Sequence, residues 1–257
     1  MSDDRDAWRS LSTEFDAWAQ AGMLATLWWR DDDAIEPTPQ LDRMLELSAR
    51  FAVPLGLAVI PAHAKSALAA RLQSEPTVDI LQHGFAHKNH ANPGERAAEF
   101  GPQRSLDVQL AEQVRGWRML EAFARRVPIF VPPWNRYDSA LAVGFAVQGI
   151  TAISAFGVAN RLPSPIVECN CHVDIISWRT TRGFAGVGKS VNKLVDQLHA
   201  RRVISRGQSV VTGLLSHHLV HDEGCWSFLA ELFARTKDQS AVRWVHPMDA
   251  VHSPVSS

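Results

Sequence analysis

The sequence predicts an α/β protein: a single distorted (β/α) barrel of about seven parallel strands, with an N-terminal helix in front of it. Short, almost wholly apolar runs alternate with amphipathic helical stretches, the pattern of a parallel sheet covered by helices. Polar residues able to do chemistry collect where those apolar runs end, and in β/α barrels sites assemble on the carboxyl-terminal face. An open doubly wound sheet is the alternative, but no Gly-rich phosphate turn follows any strand. The even spacing of the strands predicts one barrel domain over residues 23–252, with residues 1–22 as a helical extension.

Trp8, Leu11, Phe15 and Trp18 recur every three or four residues and predict an amphipathic helix over residues 3–21. Leu24 to Trp29 reads as a buried strand running into Asp31-Asp32-Asp33. Thr38-Pro39 is a helix start, and Leu41, Met44, Leu45 and Phe51 trace the apolar stripe that follows. Leu55 to Ile60 is a second strand, stopped by Pro61, and a short helix runs through Leu72. Val78 to Leu81 is a third, ending at Gln82-His83. Stretch 84–103, rich in Gly, Pro, Glu and Asn, reads as a long surface loop. Leu106, Leu110, Val114, Trp117 and Leu120 then give a helix over 104–124 its buried face.

Ile129 to Val131 is a strand stopped by Pro132-Pro133. A helix near 138–148, a strand from Ile150 to Ser154 and a strand from Val173 to Trp178 come next. A helix over 189–204 leads to the strand Val210 to Leu215, which runs into Ser216-His217-His218. A last helix and a strand from Val242 to Val245 complete the pattern.

With 257 residues, 46% of them hydrophobic, the chain can bury a substantial core. Its 26 basic and 27 acidic residues leave a formal charge of −1, which argues against nucleic acid or an anionic membrane as the main partner. The acidic start, Ser2-Asp3-Asp4, lacks the apolar core of a signal peptide, and no apolar run reaches membrane-spanning length. Cys169 and Cys171 are too close for an easy disulfide, and no C-x-x-C is present. These features predict a soluble, cytoplasmic protein with reduced thiols.

The chemistry is concentrated in His83-Gly84-Phe85-Ala86-His87. Two histidines four apart fall on one face of a helical turn, close enough to reach one metal ion. A carboxylate from another loop would complete three ligands, the number that leaves a catalytic metal an open position. His90 offers another same-face spacing with His87, although an exposed loop position suits it better. Three adjacent aspartates repel one another unless a cation or hydrogen-bond donors offset the charge. One carboxylate could bind metal while its neighbour takes a proton from water. Strand alternation points neighbours to opposite sides, so those roles must be split between residues.

Five short motifs in order resemble the polysaccharide deacetylases, metal-dependent carbohydrate esterases, over roughly residues 23–250. Arg30-Asp31-Asp32-Asp33-Ala34 is similar to the family's Thr-Phe-Asp-Asp-Gly turn, and His83 to His87 to its His-Ser/Thr-x-x-His. Val131-Pro132-Pro133-Trp134 looks like Arg-x-Pro-Tyr, Asp174 to Trp178 like Asp-x-x-Asp-Trp, and Leu215-Ser216-His217 like Leu-x-His. The resemblance implies Asp32 as catalytic base, His217 as general acid, and Asp33, His83 and His87 as ligands of one divalent ion, most of all Zn2+. A shift by one residue, to Asp31 and Asp32, is the other alignment. It further implies a substrate wall of Pro133, Trp134, Trp178 and Leu215, with the Trp134 N–H turned to an oxyanion because Pro132 and Pro133 have none.

The chain departs from the family at Val131 (arginine there), Ser177 (aspartate), Gly84 (Ser/Thr) and Trp134 (tyrosine). Arg30 or Arg136 could supply the missing positive charge. The expected activity is hydrolysis of C–N bonds, first of all deacetylation of an N-acetylated sugar or oligosaccharide. The alternatives are an intracellular amidohydrolase acting on small or cyclic amides, and a non-catalytic carbohydrate-binding protein with a vestigial site.

Overall fold

The computed structural model describes residues 2–162, 165–204 and 211–252. Met1 and Val210, parts of the predicted extension and of one predicted strand, lie outside the described residues. Contacts divide the chain into two compact units. The first comprises Met1–Arg30, Pro39–Leu55 and Cys171–Ser257, and the second Asp31–Thr38 and Gly56–Asn170.

The first unit opens with α1 (Ser2–Gln20), whose Leu11, Phe15 and Trp18 are buried and whose Trp8 stacks on Phe228 with ring centroids 5.7 Å apart. Glu14 accepts two hydrogen bonds, at 2.8 and 3.0 Å, from Arg202 on α6 (Val187–Ile204). β1 (Ala25–Ala34) begins in this unit and runs on into the second. It pairs in parallel with β9 (Val242–Trp244), in register Ala25 to Val242. β7 (Cys171–Asp174) and β8 (Thr212–Ser216) also pair in parallel. Buried Trp29 donates from its indole N–H to Ser216 Oγ at 2.8 Å and packs its ring against Phe233 at 5.0 Å.

Pro39 opens α2 (Pro39–Phe51), which buries Leu41, Met44, Leu45 and Ser48 along one stripe. α7 (Glu223–Lys237) is capped by Asp222, which accepts the Cys225 N–H at 3.0 Å. The short α8 (Pro247–His252) follows β9.

In the second unit the strands order as β6-β5-β4-β3-β2, and β3–β4, β4–β5 and β5–β6 pair in parallel. They are β2 (Leu55–Val59), β3 (Val78–His83), β4 (Arg126–Val131), β5 (Ala152–Ile153) and β6 (Val167–Glu168). Every residue of β2 and β3 is buried, as expected for parallel strands covered on both faces. α3 (Ser66–Leu72), α4 (Leu106–Met119) and α5 (Leu141–Val147) follow β2, β3 and β4. Phe100, Phe130 and Phe145 interlock at the centre, with centroids 4.6–6.3 Å apart.

Several expectations are corrected. β1 continues through all three aspartates, and β6, only two residues long, carries too little pattern to be foreseen. The strand predicted from Val173 to Trp178 stops at Asp174, and Ile176 bridges Phe184 in the antiparallel sense. α4 buries Gln109, Gln113 and Gly116 alongside Leu110 and Trp117, which pack on the core, and leaves Leu106 39% exposed, so its buried face is mixed rather than purely apolar. Gln82 explains this: its amide donates to the Gln113 and Gly84 carbonyls at 2.9 and 3.0 Å, and the Gln113 amide donates back at 3.1 Å. A buried amide needs such partners, and α4 supplies them. Stretch 84–103 is not a plain surface loop, because Ala98, Glu99 and Phe100 are buried. No helix among the described residues is long and apolar enough to cross a membrane, and Cys169, Cys171 and Cys225 are buried and form no disulfide.

Candidate metal centre

Asp33, His83 and His87 bring one ligand atom each to within 4.8 Å of one another. Asp33 is the penultimate residue of β1, and His83 is the last of β3. His87 sits four residues on, in a turn rather than a helix, with φ 53° at His87 and 55° at Gly84. The two histidines therefore do not share the face of a helical turn, as their spacing suggested. A left-handed turn, not a helix, brings their ring centroids to 5.2 Å. His90, tied back by its N–H to the Ala98 carbonyl, is not a member of this group.

Asp33 Oδ1 lies 3.0 Å from His83 Nε2 and 3.4 Å from His87 Nε2. His83 Nδ1 is 3.0 Å from the Val131 carbonyl, which can only accept, so Nδ1 carries the proton. In a neutral ring Nε2 then presents a lone pair to a carboxylate oxygen at hydrogen-bond distance. Such a contact needs a proton or a metal cation between the two, and a carboxylate with two imidazoles is a donor set suited to a divalent transition metal. The residues fit the implied ion. A metal-binding histidine is commonly held at its other nitrogen by a carbonyl, as the Val131 carbonyl holds His83.

The electrostatics agree. Burial alone would lower the pKa of His83, but Asp32 and the hydrogen-bonded Asp33 outweigh it and raise it. Burial lowers that of His87, and charge on His83 lowers it further. The φ of 75° at Asp33 breaks strand alternation at the end of β1 and turns its carboxylate to the imidazoles. Asp32 is 2% exposed and acts on His83 through its charge. Asp33 and His87 keep 31% and 25% side-chain exposure, so the group is open to solvent on one side.

Pro133 is buried, and Trp134 (φ 55°) leans on His87 with centroids 4.3 Å apart. The N–H groups of Asn135 and Arg136 bond to Pro132 and Pro133, whereas that of Trp134 has no partner among the described residues. Val131 is fully buried, and its carbonyl accepts both the His83 ring N–H and the Gly84 N–H, at 3.0 and 2.9 Å. Arg136 donates to the Ala97 carbonyl at 2.8 Å.

The other predicted residues belong to the first unit. His217, 9% exposed, meets Trp178 edge-on at 4.7 Å. Trp178, 39% exposed, donates its indole N–H to Asp174 at 2.8 Å. Leu215 is wholly buried in β8. Glu99, which accepts three backbone N–H groups of the His87 turn, was missed because nothing in its sequence neighbourhood separates it from other loop acids.

Neither a family model nor a curated protein matches the chain at a significant level. Solved structures do. A protein from Mycobacterium smegmatis assigned to the polysaccharide deacetylases superposes with TM-score 0.65 at 17% identity, over 90% of each chain. The chain has the polysaccharide deacetylase fold. A family 4 carbohydrate esterase from Streptomyces lividans, solved with acetate, gives TM-score 0.53 at 14% identity over 85% of this chain and 90% of that one. A mutant of a CE4-family pseudoenzyme gives 0.55 at 15% identity, over 90% of this chain and 68% of the other. The polysaccharide deacetylase fold thus occurs in a hydrolase and in a pseudoenzyme, and the site has to carry the functional argument.

Proposed function

We propose that this protein is a metal-dependent hydrolase of C–N bonds that deacetylates an N-acetylated sugar or oligosaccharide. The observation that carries the reading is the single Asp33 oxygen facing Nε2 of both His83 and His87 while His83 Nδ1 is committed to Val131. Asp33, His83 and His87 would hold one divalent ion, zinc for preference. Bound there, the ion would supply Lewis acidity, polarising a carbonyl oxygen and making water more acidic.

The remaining work falls to the chain. Asp32 takes a proton from the attacking water. The Trp134 N–H, without a partner among the described residues, donates to the oxygen that gains charge as the carbonyl becomes tetrahedral. The family resemblance assigns the proton donor for the leaving nitrogen to His217. Pro133 and Trp134 wall the acyl group and keep water from it.

Elemental analysis of the purified protein tests the metal: about one zinc per chain is expected, lost in His83→Ala. Acetate release from N-acetylated sugars tests the substrate. Turnover of small cyclic amides without acetate release would move the reading to the amidohydrolase alternative. Zinc binding with no turnover of either class would leave a vestigial site.

A further inference from the structure

We propose that Glu99 is a positioning residue of the metal centre, its buried carboxylate shaping the turn that presents His87. The inference rests on the reading of Asp33, His83 and His87 as a metal site. Glu99 is 1% exposed. Its Oε2 accepts the Phe85 N–H at 3.0 Å, and its Oε1 accepts the Ala86 and Lys88 N–H groups at 2.8 and 3.2 Å. These donors bracket His87 on both sides. A left-handed turn cannot satisfy them internally as a helix would, and an acceptor-only side chain with two oxygens takes all three.

The rest of the turn is built round that carboxylate. Gly84 has φ 55°, and a Cβ there would lie 2.2 Å from Glu99 Oε2 and 2.5 Å from Pro133 Cγ. The proline ring cannot move aside as a flexible side chain could, so glycine is required. Position 84 is where the resemblance leads one to expect Ser or Thr; here that volume is filled by the acid. On the opposite edge Gln82 donates to the Gly84 carbonyl at 3.0 Å. Glu99 is itself anchored: Arg104, paired with Glu112 at 2.7 and 2.8 Å, donates to the Glu99 carbonyl at 3.1 Å.

Glu99→Gln keeps the shape but turns an NH2 toward a backbone N–H. The test compares wild type, Glu99→Gln, His87→Ala and the double variant by chelator competition for zinc, with hydrogen exchange over residues 84–89 and thermal unfolding alongside. Glu99→Gln is expected to weaken zinc binding about 10- to 100-fold and to speed exchange in the 84–89 segment. Because Glu99 acts through His87, it should cost no more than about threefold once His87 is alanine, whereas a general structural loss would cost the same in both backgrounds. If Glu99→Gln fails to fold, Glu99→Asp, which keeps the charge but withdraws it from the three N–H groups, should show the same loss and the same dependence on His87. Zinc affinity unchanged within about threefold in the single variant, or losses that multiply in the double one, would overturn the proposal. A wild-type protein that binds no zinc would overturn the metal reading and this proposal with it; the single-variant result separates the two failures.

Discussion

At the scale of single residues, the lone pair of His83 Nε2 is the most consequential feature. Its environment gives a signed pH dependence. The raised pKa of His83 means that, without metal, the imidazolium between Asp32 and Asp33 contributes stability that is complete below the unfolded value of about 6.5 and fades as pH rises through the elevated one. Metal-free protein should therefore unfold at a lower temperature at pH 9 than at pH 6.5, and His83→Gln should flatten that trend. The same proton competes with the cation, so zinc affinity should fall on acidification, beginning above the pH at which a free imidazole titrates. Calorimetric titration at a series of pH values reads this directly; an affinity flat from pH 8 to 6 would contradict it. The Asp-His-His set was legible from residue types and strand-end positions, whereas the turn that brings it together was not. Asp33 at φ 75° and His87 at φ 53° occupy conformations no spacing rule predicts for non-glycine residues.

At the scale of elements, caps and buried polar contacts decide what periodicity leaves open. Asp222 accepts the Phe184 and Cys225 N–H groups at 2.9 and 3.0 Å, and these bonds hold its pKa below the usual carboxylate range. Asp222→Ala should cost about 1 kcal/mol in urea unfolding at neutral pH. A depressed pKa gives stabilisation that is present above about pH 4 and lost below it, so the gap between variant and wild type should close in acid. An unchanged gap at pH 3 would show that the cap does not act through its charge. α4 carries the contrasting lesson. Leu110 and Trp117 pack on the core as their spacing suggests, yet Gln113 is buried beside them because Gln82, buried near the end of β3, needs an amide partner. Gly116→Ala should destabilise, since its Cβ would meet the Gln82 amide at 2.5 Å.

At the scale of the whole molecule, α1 is integral to the first unit. Its buried Leu11, Phe15 and Trp18 and its Glu14–Arg202 bonds make it part of that unit's core. Trp18→Ala should cost about 3–5 kcal/mol, seen as a large fall in the urea midpoint. Ligand linkage gives a global readout of the metal: zinc at about 100 times its Kd should add about 2.7 kcal/mol of stability, and chelator should remove it. An unfolding curve indifferent to zinc would count against the metal reading.

By itself the sequence determined the α/β class, the order of most strands and helices, and the positions at strand ends where chemistry gathers. Apolar periodicity and strand termination are local properties, written in neighbouring residues. What only the tertiary structure decided was which aspartate meets the histidines, why position 84 is glycine, and that Glu99 lies buried beneath the His87 turn. Those outcomes depend on hydrogen bonds and steric contacts between residues distant along the chain, from Asp33 to His83 and from Glu99 to Phe85. Such contacts leave no periodic trace for a reading of the sequence to find.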